Sequence, residues 1–141
     1  MKANELMIGD FVFHEKYGNA IIESIDNDFG DNLSVRLISE NIQHKDGYKY
    51  GYCWCNLDEI FPIPLTPEIL EKNGFVEDGE GVYGDDNSFF IPTYQNGFYT
   101  GTCETYIEST EGIGDFSGRL KYVHELQHAL KLCGIEKEIV L

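Results

Sequence analysis

The sequence predicts an α+β fold in two halves, a small β-barrel over residues 1–62 and a mixed helix-and-strand part over residues 63–141. In the first sixty residues, five short apolar segments alternate with turn-forming residues, which is typical of small barrels. The pattern then changes to a short helix and further strands, and one long helical segment lies near the C-terminus. We therefore expect antiparallel strands packed by one C-terminal helix in the second half. Whether the two halves share one core stays open.

The strands of the first half are short apolar segments bounded by turns. Phe11–His14 is the first, a turn follows at residues 16–19, and residues 20–25 are rich in isoleucine. Residues 26–32 combine aspartates, asparagines and a glycine, which predicts a loop. The remaining strands are expected at residues 34–38, 48–54 and 59–62.

Residues 8–22 carry a resemblance that narrows the barrel prediction. The Gly9-Asp10 pair precedes an apolar strand that ends in His14, and a turn at Gly18 leads into a second apolar strand. This segment resembles the opening hairpin of Tudor-like and SH3-like barrels, including that of CarD-type domains. The resemblance implies an SH3-like barrel over residues 1–62. Because Tudor-like barrels are binding modules, it also implies a role in binding.

The second half begins with a short linking helix. Thr66 suits the N-cap, Pro67 the first helical position and Gly74 the residue after the helix end. Strands are expected at residues 81–83, 89–91, 98–100 and 103–107, and Asn96-Gly97 predicts a hairpin turn. Pro92 favours an edge strand or a bulge.

The last part of the chain is predicted to contain the one long helix. Residues 112–118 are rich in glycine, and Ser117 or Asp115 would cap a helix over residues 118–133. Gly134 would end this helix. A closing strand is expected over residues 135–141.

The charge of the chain excludes several classes of function. Acidic residues outnumber basic ones by 25 to 10, which gives a formal charge of −15. This charge repels phosphate backbones and anionic lipids, so we expect neither direct nucleic-acid binding nor membrane binding. No apolar run reaches the length of a membrane helix, and the first residues lack the apolar core of a signal peptide. We expect a cytoplasmic protein with reduced cysteines.

The negative charge is concentrated between Lys72 and Arg119, where no basic residue occurs. The favoured interpretation is a solvated face that keeps the protein soluble. One alternative is a surface for a basic partner. Another is an acidic mimic of DNA that inhibits a nucleic-acid enzyme. The acidic residues of this stretch are Glu77, Asp78, Glu80, Asp85, Asp86, Glu104, Glu108, Glu111 and Asp115.

One short motif predicts a specific chemistry, because residues 124–128 match His-Glu-x-x-His on a predicted helix. In zinc peptidases with this motif, two histidines one turn apart bind Zn²⁺ and the glutamate activates the bound water. Here His124 and His128 would be the ligands and Glu125 the general base.

Two observations count against a zinc site. A third protein ligand is required, and the acids that follow the motif, Glu136 and Glu138, lie just beyond the predicted helix end. On a helix over residues 118–133 both imidazoles would also face outward, with Lys121 and Lys131 beside them, where a dication is unfavourable. We therefore expect neither a catalytic residue nor a cofactor, and zinc-dependent hydrolysis is the alternative.

Large aromatic residues recur at every second position from Tyr48 to Trp54. In a strand, Tyr48, Tyr50, Tyr52 and Trp54 would line one face, and the thiols of Cys53 and Cys55 would share the other. Most aromatic residues of the chain are expected in the core. A strip that is partly exposed would form a contact surface for a peptide or a protein.

Three further segments resemble a group of short proteins from gut Bacteroidetes and from their phages and mobile elements. They are residues 121–127, residues 63–75, and the opening residues 1–6 with Ile8-Gly9. The resemblance implies an origin and no chemistry. We therefore expect a non-enzymatic interaction or accessory protein of a phage or mobile element. The alternatives are a zinc-dependent hydrolase and an acidic inhibitor that mimics DNA.

Overall fold

The computed structural model of the chain describes residues 1–29, 32–43 and 50–141, which divide into two compact units, Met1–Ile63 and Pro64–Leu141. Each unit contains one antiparallel sheet, and the two α-helices of the described residues belong to the second unit. The α+β class predicted from the sequence is confirmed. None of the helices in these ranges is both long and apolar enough for a membrane crossing.

The first unit is a five-stranded sheet with single 3-10 turns at Ala3–Glu5 and Leu57–Glu59. The strand order is β4-β3-β2-β1-β5 and all neighbours are antiparallel, so β4 and β5 form the edges of a sheet that is not closed over the described residues. The loop predicted over residues 26–32 is wrong for residues 26–29 and 32, because β2 extends to Phe29 and β3 begins at Asn32; residues 30 and 31 lie outside the described residues. The strands are β1 (Phe11–His14), β2 (Gly18–Phe29), β3 (Asn32–Ser39), β4 (Gly51–Asn56) and β5 (Ile60–Pro62).

The core of the first unit follows from period-two alternation along its strands. One face buries aliphatic side chains completely, among them Val12, Ile22, Val35 and Leu37. The opposite face of the same strands carries aromatic and charged residues. This alternation decides which side chains of the first unit are exposed to solvent.

The Gly9-Asp10 pair and His14, which carry the barrel resemblance, hold turns in place. Gly9 has a φ of 96°, a conformation that favours glycine. The Asp10 carboxylate is buried and its Oδ2 accepts a hydrogen bond from the Met7 N–H at 2.7 Å. His14 is also buried, and its Nδ1 accepts from the Lys16 N–H at 3.1 Å. These residues therefore shape the opening hairpin.

The second unit is a five-stranded meander with one helix before it and one after it. The strand order is β10-β9-β8-β7-β6. The turn between β8 and β9 falls at Asn96 and Gly97, whose φ values of 52° and 81° confirm the predicted hairpin. The elements are α1 (Pro67–Lys72), β6 (Val76–Glu77), β7 (Tyr83–Gly84), β8 (Ser88–Gln95), β9 (Phe98–Ile107), β10 (Phe116–Leu120) and α2 (Val123–Leu132).

The first helix begins and ends as predicted, but the chain end differs from the prediction. Thr66 is the N-cap of α1, and its Oγ1 accepts from the Ile69 N–H at 3.4 Å. No strand forms over residues 135–141. This segment is held instead by the side chain of Asn73, which donates to the Val140 carbonyl and accepts from the Val140 N–H, both at 2.7 Å.

The C-terminal helix is shorter than predicted, because residues 116–120 form strand β10. Gly118 pairs with Thr105 of β9, and the burial of β10 alternates as in a strand. Ser117 and Asp115 therefore do not cap a helix, and α2 begins at Val123. Its apolar face is buried, with Leu126 and Leu130 at most 2% exposed.

Candidate interaction surface

Three aromatic residues in β4 or directly before it lie on the solvent side of the first unit. The side chains of Tyr50, Tyr52 and Trp54 are 43%, 63% and 48% exposed, whereas Cys55 on the opposite face is buried. The structure therefore places these three aromatic residues outside the core. Tyr48, the fourth member of the predicted strip, lies outside the described residues.

Arg36 of β3 lies beside these rings and completes the surface. In the antiparallel register Arg36 is paired with Trp54. Its guanidinium carbon lies 5.5 Å from the Tyr52 ring centroid and 5.7 Å from that of Trp54, within the range of a cation–π interaction. The Arg36 Nε also lies 2.5 Å from an Oε2 of Glu23. We call Tyr50, Tyr52, Trp54 and Arg36 the aromatic face.

Further apolar residues extend this surface across the sheet. The register pairs Tyr52 with Ile38, Ile38 with Ile21, and Ile21 with Phe11, so one row of outward side chains crosses four strands. Phe13 and its partner Phe61 of β5 are also exposed. The sequence analysis identified Tyr52 of this row but missed its other members and Arg36. The alternation along residues 11–14 could have revealed the exposed Phe13.

The cysteines of β4 pack on the other face of the strand. Burial, reinforced by Cys53 and the carboxylates of Glu59 and Asp58, raises the pKa of Cys55 to about 12. Burial also raises the pKa of Cys53. Both thiols are therefore neutral at physiological pH, which suits packing rather than nucleophilic or metal chemistry.

The prediction that both motif histidines face outward is wrong for His124. Its side chain is buried at 4% exposure, whereas His128 is half-buried. The reason lies in Tyr122, which has an extended backbone in place of a helical one and stacks its ring on His124 at 5.7 Å with an interplanar angle of 9°. Lys121 also precedes the helix, so it does not share a helical face with the histidines.

The two imidazoles are neighbours, and Glu125 is used elsewhere. The ring centroids of His124 and His128 lie 5.7 Å apart. The Glu125 Oε2 accepts from the backbone N–H of Lys121 at 2.6 Å and of Tyr122 at 3.1 Å, which caps α2. Over residues 1–29, 32–43 and 50–141, no three His, Cys, Asp or Glu side chains are grouped so that they could hold a metal ion. This geometry favours a structural role for Glu125.

Parts of the acidic stretch are engaged within the second unit. Glu104 lies 2.5 Å from the Arg119 Nε, and the Asp115 carboxylate accepts from the Tyr106 hydroxyl at 3.1 Å. That hydrogen bond and the negative charge of Asp115 and Glu108 raise the pKa of Tyr106. Glu104 and Asp115 therefore make contacts within the second unit.

Comparison with known proteins finds no matching family, no matching curated protein and no matching solved structure.

Proposed function

We propose that this chain is a non-enzymatic interaction protein that binds a partner protein or peptide through the aromatic face of its first unit. The observation that carries the proposal is the exposure of Tyr52 and Trp54 beside Arg36. Tyrosine, tryptophan and arginine are the residues that dominate binding energy at protein interfaces. We further propose, from the resemblance of residues 1–6, 63–75 and 121–127, that the protein serves a phage or mobile element.

An SH3-like barrel is the architecture that we propose for the first unit. The order β4-β3-β2-β1-β5 and the antiparallel pairing of all neighbours support it. The length of β2, which has register shifts between Ile22 and Ser24 and between Asp26 and Phe29, also supports it. A long bulged strand of this kind can contribute to both layers of a small barrel. In such a module the aromatic face lies on β3 and β4.

The composition of the aromatic face suits a protein partner better than a nucleic acid. Its one cation, Arg36, is already near the Glu23 carboxylate, and the chain carries a charge of −15. Phosphate binding needs several uncompensated cations. A partner would instead cover the rings, and burying one aromatic side chain removes on the order of 150–250 Å² from water.

A capture experiment with matched variants tests the proposal. The wild-type chain, a Tyr52→Ala/Trp54→Ala variant and a Tyr94→Ala/Phe98→Ala variant are immobilised and exposed to a lysate of a gut Bacteroidetes host. Tyr94 and Phe98 are exposed aromatic residues of the second unit and provide a control of equal chemistry. We expect retained proteins that are lost in the first variant and kept in the second.

The outcome that contradicts the proposal is equally specific. If both variants retain the same proteins as the wild type, the aromatic face is not the binding surface. The replaced side chains lie outside the cores, so we expect both variants to fold like the wild type. Circular dichroism of each variant checks this.

A further inference from the structure

A groove crosses the outer face of the sheet in the second unit. The register pairs Val76 of β6 with Gly84 of β7, Gly84 with Phe89 of β8, and Phe89 with Tyr106 of β9. These residues form one outward row, and Gly84 leaves a depression between the side chains of Val76 and Phe89. The groove has a volume of about 480 Å³.

The walls of the groove are apolar and exposed. Val76 is 73% exposed, and the Phe89 ring stacks on Tyr106 with centroids 5.3 Å apart. The depression between them is maintained by Gly84, since a Cβ at this position would lie 2.6 Å from the Ser88 carbonyl oxygen. The row therefore offers a slot for an aliphatic chain between a valine and an aromatic ring.

The rim of the groove is acidic. Asp78, Asp85, Asp86 and Glu108 line it, and none of the lining residues in the described part of the chain is basic. Two of these carboxylates are held in place: the Asp78 Oδ1 accepts from the Val82 N–H at 3.2 Å, and the Asp85 Oδ1 accepts from the Ser88 hydroxyl at 2.7 Å. Fixed carboxylates around an apolar slot match a side chain that is aliphatic along its length and cationic at its end.

We propose that this groove binds an extended basic segment of a partner protein. The aliphatic part of a lysine or arginine would lie between Val76 and Phe89, and its cationic end would reach the acidic rim. A guanidinium could also stack on the Phe89–Tyr106 pair. The site is separate from the aromatic face, so this proposal goes beyond the function proposed above. Nucleic acids and anionic lipids do not fit it, because the rim repels phosphate.

Fluorescence anisotropy with a labelled peptide of alternating lysine and alanine tests the proposal. The test compares the wild type with an Asp86→Asn/Glu108→Gln variant, which removes two rim charges. A Glu136→Gln/Glu138→Gln variant removes the same charge from exposed positions outside the groove. We expect the dissociation constant to rise about fivefold for the rim variant and by much less for the control.

A second pair of variants tests the apolar wall. Phe89→Ala should weaken binding of the same peptide severalfold, whereas Phe98→Ala, at the exposed start of β9, should leave it unchanged. The proposal is overturned if the rim and control variants weaken binding equally, because attraction would then come from net charge alone. It is also overturned if a peptide of alternating glutamine and alanine binds as tightly as the lysine peptide.

Discussion

Replacing Glu125 by alanine should destabilise the second unit measurably, because this carboxylate caps helix α2. Its Oε2 accepts from two backbone N–H groups, those of Lys121 and Tyr122, at 2.6 and 3.1 Å. Losing a helix cap costs about 0.5–2 kcal/mol, and losing a negative charge at a helix N-terminus costs about 0.3–1 kcal/mol. We therefore expect Glu125→Ala to lower the free energy of unfolding by about 1.5 kcal/mol. Glu125→Gln keeps an acceptor without the charge, so it should cost less.

Denaturant unfolding followed by far-ultraviolet circular dichroism is the appropriate assay, because both α-helices of the described residues lie in the second unit. Glu136→Ala, which removes an exposed carboxylate beyond the helix, is the control. A Glu125→Ala variant as stable as the Glu136→Ala variant would refute the cap. Glu125 would then have no structural role, which the alternative of a zinc-dependent hydrolase requires.

Three further predictions follow from burial and from the histidine pair. Phe90→Ala should lower the free energy of unfolding by about 3–5 kcal/mol, since Phe90 is fully buried, whereas Phe89→Ala on the outer face should cost far less; equal costs would contradict the register of β8. Burial raises the pKa of the Cys55 thiol in the folded chain from 9.0 to about 12. The neutral thiol therefore contributes fully to the free energy of unfolding below about pH 9, and this contribution is lost as the pH rises toward 12. Alkylation followed by peptide mass spectrometry should therefore leave Cys55 unmodified in the folded chain at about pH 8, and rapid modification would contradict its burial. Protein purified without a histidine tag should contain no stoichiometric zinc by elemental analysis, and zinc that is lost in His128→Ala would overturn this prediction.

Elements with strong local signals could be predicted from the sequence. Thr66 and Pro67 mark the start of α1, and Asn96-Gly97 marks a hairpin, because each residue type suits the backbone conformation found there. The start of α2 could not be predicted in this way. The cap of α2 is the side chain of Glu125, which lies three residues after the extended Tyr122. Ser117 has the residue type of a helix cap, but it belongs to β10. Pairing with β9 outweighs that local signal.

The candidate surface could be predicted in part. Alternation along residues 48–54 placed Tyr50, Tyr52 and Trp54 on one face, but alternation alone does not say which face is covered. Arg36 comes next to Trp54 only through the β3–β4 register, and the sequence pattern does not determine the register of two strands. For the same reason the burial of His124 was missed, since it depends on the position of the Tyr122 ring.

Fluorescence quenching of Trp54 tests the central claim most directly, because Trp54 is the one tryptophan in the chain and lies on the aromatic face. Acrylamide should quench the free protein efficiently, since the side chain is half exposed. Addition of a partner obtained by capture should reduce the quenching constant and shift the emission to shorter wavelength. A partner that binds while the quenching and emission of Trp54 stay unchanged would contradict the assignment of this face as the binding surface.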